Sequence, residues 1–107
     1  MAKYLLFPSQ AAAKERVPLF QTALIRAGKL EICLAHTPEG FFAVSNECTH
    51  QRASMHKGKV LPECKIQCPW HGYTFSLKTG EDLSGNDCPA LKTYPIHVSE
   101  KGIEIEL

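Results

Sequence analysis

Cys48-Thr49-His50 and, after seventeen intervening residues, Cys68-Pro69-Trp70-His71-Gly72 are the stretches whose reading organises the rest of the chain. Each sets one thiol and one imidazole a few ångströms apart inside turn-forming sequence. Thiolate and imidazole are the ligands of zinc and iron–sulfur chemistry, and two facing loops of this kind bring four of them around a metal centre. The block Asn46 to Cys88 holds four of the five Cys and three of the five His, so it reads as an insert between segments of a different character.

Those flanking segments are short, apolar and punctuated by turn residues. Strands are expected at Tyr4–Phe7, Leu19–Ile25, Leu30–His36, Phe41–Ser45, Lys59–Leu61, Lys65–Gln67, Tyr73–Leu77, Tyr94–Val98 and Ile103–Leu107. Leu30, Ile32 and Leu34 alternate with Glu31, Cys33 and Ala35, and Ile103, Ile105 and Leu107 with Glu104 and Glu106. Period two with one apolar face is the pattern of an antiparallel all-β domain, closed or nearly closed to protect its edges. One helical turn is expected at Ala11–Arg16, ended by Pro18.

At 107 residues the chain is expected to be a single domain, 1–107, with a smaller subdomain over about 46–88. Twelve Lys+Arg against eleven Asp+Glu leave a formal charge of +1 with no basic tract, which argues against nucleic acid as a partner. The longest apolar runs are a few residues, too short for a membrane helix. The apolar run Tyr4–Phe7 is likewise too short for a secretory core. Five Cys, an odd number, favour metal chemistry in the cytoplasm over a disulfide scaffold. Cys33 and Cys64, in or beside apolar strands, read as small core residues.

Cys48-x-His50 and Cys68-Pro69-x-His71-Gly72, followed by Phe75 and Thr79-Gly80 and with Gly58 between the loops, resemble the two ligand loops of Rieske-type iron–sulfur proteins. The resemblance implies a Rieske-type antiparallel β sandwich or barrel carrying a small cluster-binding subdomain. It implies a [2Fe–2S] cluster with Cys48 and Cys68 on one iron and His50 and His71 on the other. Neutral imidazoles in place of two thiolates make such a cluster less negative, raising its potential from about −400 mV into the range of about −150 to +300 mV.

Differences from the pattern narrow the resemblance to the soluble, low-potential, ferredoxin-like branch. Ala53 and Trp70 stand where respiratory and photosynthetic members carry the Cys pair of an inter-loop disulfide. Tyr73 and Phe75 stand where those members place Ser and Tyr hydroxyls near the cluster. Arg52 replaces a Gly of the first loop. Trp70 is expected as a buried shield over the cluster, Pro89 as a cover from a third loop, Cys88 beside it as a passive thiol, and His56 as at best a redundant ligand.

His36 and His97 are the only His outside the insert, and no acid forms an obvious catalytic iron triad with them. The expected role is therefore a one-electron carrier, an electron-transfer component without catalysis of its own. It would take electrons from a flavin-dependent reductase and pass them to a terminal oxygenase or other oxidoreductase. Two alternatives remain open: a small Rieske subunit of a larger reductase or oxygenase, and a structural zinc module using the same four residues. Arg52, Lys57 and Lys59 on 51–59, against Glu81, Asp82 and Asp87 on 81–87, point to a partner with an acidic rim.

Overall fold

A computed structural model describes residues 2–49, 53–70 and 72–107. In chain order the elements are β1 (Lys3–Phe7), α1 (Gln10–Arg16), β2 (Thr22–Ala27), β3 (Leu30–Thr37), β4 (Gly40–Ser45), β5 (Lys59–Leu61), β6 (Lys65–Gln67), β7 (Thr74–Ser76), β8 (Thr93–Tyr94), β9 (Ile96–Ser99) and β10 (Gly102–Glu106). A single 3-10 turn, Met55–Lys57, precedes β5. Every strand pairing is antiparallel, and the strands form three sheets: β1-β10-β9, β2-β3-β4-β8 and β5-β6-β7.

The second sheet is the middle layer. Ile32 and Leu34 of β3 join Phe41, Ala43, Tyr94, Ile103 and Ile105 in one core, with Ala13 and Val17 of the α1 region closing its end. Cys33 and Ala35, on the opposite face of β3, join Val44, Val60, Ile66, Phe75 and Leu77 in a second core. The expectation of one apolar face on β3 is thus corrected. Small side chains at 33 and 35 let the β5-β6-β7 sheet pack against the face that alternation alone assigns to solvent. Burial there pushes the Cys33 thiol up to about 12, so it stays protonated.

The strand expected at Leu19–Ile25 begins later. Pro18 and a left-handed Phe20 (φ 65) make a turn, with the Gln21 N–H donating to the Pro18 carbonyl at 2.9 Å. The helix begins at Gln10 because Ser9 Oγ accepts from the Ala12 N–H at 3.1 Å and so caps it. Tyr94–Val98 is not one strand: Pro95 separates β8 from β9 and the chain changes sheets there. Proline has no N–H to continue a ladder. The described ladders form three antiparallel sheets, the all-β architecture expected from the alternating segments. Among the described residues no helix is long and apolar enough to cross a membrane.

Candidate metal centre

The third sheet presents its loops at one end. Cys48 opens the first loop, a short way past β4, and Cys68 opens the second, between β6 and β7. The two loops are closed alike: the Cys48 N–H donates to the Ala53 carbonyl at 2.8 Å, and the Cys68 N–H to the Tyr73 carbonyl at 2.7 Å. In each case a cysteine donates to the carbonyl five residues on, which closes the neck of a loop, here called a finger. His50 and His71, the expected imidazole ligands, fall between those residues in sequence and lie outside the described residues, as do Gln51 and Arg52.

Cys48 and Cys68 are fully buried and share the second core. Burial pushes the Cys68 thiol up to about 11; the Trp70 N–H, 3.5 Å from its sulfur, pulls the other way, and the adjacent Cys48 thiol adds to the rise. A thiol held protonated by burial becomes an anionic ligand when a cation replaces its proton. A shared cation is what this donor set fits, and the Trp70 N–H is already aimed at a sulfur that would become anionic. All five Cys are free, so no disulfide ties the loops. Phe75 beneath them is fully buried and brings no hydroxyl to the site.

Two glycines give the second finger its shape. Gly72 has φ +70, a left-handed turn that disfavours other residues. Its carbonyl accepts from Gln67 Nε2 at 3.3 Å. Gly58, before β5, lies so close to β6 that an added Cβ would stand 2.0 Å from the Gln67 carbonyl oxygen.

Sequence reasoning missed the residue that braces the first finger. Asn46 is buried; its N–H donates to the Glu31 carbonyl at 3.0 Å and its own carbonyl accepts from Met55 at 2.7 Å. Its side-chain oxygen accepts the His56 N–H at 2.8 Å and lies 3.1 Å from His56 Nδ1. The stretch from 46 to 56 is thus tied at its base, and His56 is engaged there by Asn46. A polar residue after an apolar strand reads only as a turn, so the sequence carries no signal for this role. Asn46→Ala is expected to lower stability by about 2 kcal/mol through the unsatisfied His56 N–H, with Asn46→Asp recovering most of it, as read from urea midpoints.

A third loop closes over the first. Thr49 Oγ1 donates to the Pro89 carbonyl at 2.6 Å, which puts Pro89 against the first finger as expected. Half-buried Cys88 packs against the second core; burial raises its thiol, and Asp82 and Cys48 add to the rise. Asp82 organises this loop, accepting from the backbone N–H groups of Ser84 at 2.8 Å, Asn86 at 3.1 Å and Cys88 at 3.1 Å. The Asp82–Ser84 bond is a side-chain-to-backbone turn of the kind aspartate favours.

Slight burial favours the neutral form of Asp82, but those donors outweigh it and hold the carboxyl below the usual carboxylate range. A carboxylate lowered on folding contributes stability that is present above the unfolded value of about 4 and is lost as pH falls through the folded one. The urea-midpoint gap between wild type and Asp82→Ala is therefore expected to be constant above about pH 5 and to close in acid.

Trp70 is a correction. Its side chain is 54% exposed, so it projects from the second finger and does not form a buried shield. His36 is a satisfied core residue, with Nδ1 2.8 Å from the Val17 carbonyl and its ring stacked on Phe41. His97 pairs with Glu106 at 3.3 Å on the outer sheet. Among the described residues no three His, Cys, Asp or Glu side chains gather as a metal site.

Comparison with known proteins agrees with this arrangement. Residues 9–95 match the family described as the Rieske [2Fe-2S] domain. Over 76 residues the chain is 37% identical to the 3-phenylpropionate/cinnamic acid dioxygenase ferredoxin subunit of Escherichia coli (strain K12), covering 71% of this chain and 72% of that one. It superposes with TM-score 0.75 and 25% identity on a chain from a complex of reduced oxygenase and oxidized ferredoxin in carbazole 1,9a-dioxygenase, covering 84% of this chain and 92% of that one. The ferredoxin of carbazole 1,9a-dioxygenase from Nocardioides aromaticivorans IC177 has the same fold, with TM-score 0.82, 18% identity and coverage of 98% and 97%.

Proposed function

The chain belongs to the Rieske [2Fe-2S] domain family, and from that premise we propose that Cys48 and Cys68 hold one iron of the cluster and His50 and His71 the other. The single domain 1–107 is read as a scaffold with the cluster-binding subdomain at about 46–88. The function this supports is a ferredoxin that carries single electrons from a flavin-dependent reductase to a terminal oxygenase, working in the cytoplasm. When bound, the cluster supplies a reversible one-electron couple whose two-imidazole ligation keeps it less negative than an all-thiolate cluster.

The chain's own residues do the rest. Cys48 and Cys68 provide two anionic sulfurs from a dry pocket, and the Trp70 N–H is positioned to stabilise one of them. The Asn46 and Gln67 side chains brace the two fingers. Pro89 and half-buried Cys88 help cover the first finger. The observation that carries the reading is the pair of buried thiols at the necks of two fingers closed alike, each finger holding one histidine.

Purified from iron-replete cells, the protein is expected to contain two irons and two acid-labile sulfides, to absorb in the visible, and to accept one electron from an NADH-driven flavoprotein reductase. A colourless zinc protein, or reduction by two electrons, would reject the proposal.

A further inference from the structure

The lysines of the third sheet divide into two groups. Lys65 pairs with Glu63 at 3.3 Å and Lys78 with Glu39 at 2.6 Å. Lys57 and Lys59, exposed on either side of Gly58, form no ion pair among the described residues. They line an open recess of about 310 Å³ with Gln67, Cys68, Pro69 and Gly72, at the neck of the second finger. Among the described residues no acid lines this recess. Pro69 and Trp70, both exposed, form an apolar shoulder beside it.

Acidic charge lies across the sheet. Asp82 bridges to Phe75 on β7, and Glu81 and Asp87 are exposed in the same third loop. The strand order β5-β6-β7 puts this loop on the opposite edge from the two lysines, about 10–15 Å away at ordinary strand spacing. The second finger joins β6 to β7, so it stands between a cationic edge and an anionic one. Proteins that associate briefly rely on such fields for encounter rate and orientation, while an aromatic side chain beside a charged rim supplies contact.

We propose that the redox partner docks on this recess with a carboxylate-bearing protein surface against Lys57 and Lys59, the Trp70 shoulder beneath it and the 81–87 loop facing partner cations or solvent. This rests on the reading of the chain as an electron carrier. Of the four lysines on or beside the third sheet, the two without an ion pair among the described residues stand at the end that carries the second finger, where an electron would cross, whereas Lys65 and Lys78 are neutralised in place.

The test uses the reduced holoprotein and one acceptor in two charge states: cytochrome c with its surface lysines native, or succinylated to make it anionic. One electron passes to each ferric haem, followed by stopped flow. At low ionic strength the succinylated form is expected to react faster, and Lys57→Gln/Lys59→Gln to slow it by about tenfold. Salt should abolish that difference by about 0.5 M. Glu81→Gln/Asp87→Asn should leave it unchanged or speed it up.

An equilibrium reading runs in parallel. With lysine amines carrying ¹³C-methyl groups, which keep the charge, the Lys57 and Lys59 signals should shift on adding reduced succinylated cytochrome c, and those of Lys65 and Lys78 should not. Equal rates in wild type and the double lysine variant, or uniform shifts at all four lysines, would overturn the docking proposal. A preparation lacking the visible cluster spectrum would instead reject the carrier reading, so the two failures are distinguishable.

Discussion

Cys68→Ser is expected to yield protein that retains no cluster, with iron and acid-labile sulfide falling to background and the visible bands absent. A serine hydroxyl keeps its proton where a thiol gives its proton up to bind iron as thiolate, and Cys68 sits at the neck of its finger beside Cys48. The loss should be local. Each finger is closed by one cysteine N–H bond to a carbonyl five residues on and braced by a few side-chain bonds from Asn46, Gln67 and Thr49, which together do not offset the entropy of ordering the loop. Beneath them, Val60, Ile66, Phe75 and Leu77 stay packed on Cys33, Ala35 and Val44. Hydrogen exchange is therefore expected to accelerate at the two fingers, while β3, β4 and β10 keep their protection. Unchanged protection of both fingers in the variant would show that the cluster does not order them.

Gly58→Ala is expected to have the next largest effect. Its backbone (φ −83) suits any residue, so the obstacle is space alone. The new Cβ would meet a backbone carbonyl, Gln67, that cannot rotate away and that directly precedes Cys68. Either β5 separates from β6 or the second finger shifts, at a cost of about 3 kcal/mol, the upper end for overpacking. Chemical denaturation of the holoprotein should show that loss together with faster release of iron to a chelator. A Gly28→Ala control, at a turn with φ +61 and open space around it, should cost only about 1 kcal/mol and leave iron release unchanged. Equal iron release from both variants would remove Gly58 from the site.

How much of this was legible in the sequence depends on the range of the interaction. Strands with strict alternation, such as Ile103–Leu107 against the observed Gly102–Glu106, are local and were readable within a residue or so. The two Cys-His stretches are local patterns of the same kind, and the structure places their cysteines, Cys48 and Cys68, in one core. Cys33 and Ala35 misled because a small side chain looks neutral until the sheet that covers it is known, and β5-β6-β7 is distant in sequence. Pro95 was visible as a punctuation mark, but its effect, a change of sheet, depends on β10, whose Glu106 N–H donates to the Pro95 carbonyl at 2.9 Å. Residue type alone points to burial for Trp70, whereas its side chain is 54% exposed. Asn46 and Gln67 brace the site through bonds to residues ten and five positions away, and spacing of that kind forms no motif.

The claim on which all else depends is that two sulfurs and two nitrogens of this chain share one pair of irons. Pulsed electron paramagnetic resonance on the dithionite-reduced protein, grown with ¹⁵N-histidine and compared with unlabelled material, addresses it directly. Two strongly coupled nitrogens that change with the isotope, lost together with the cluster signal in Cys68→Ser, are the expected result. A reduced cluster signal without histidine nitrogen coupling would contradict the ligand assignment.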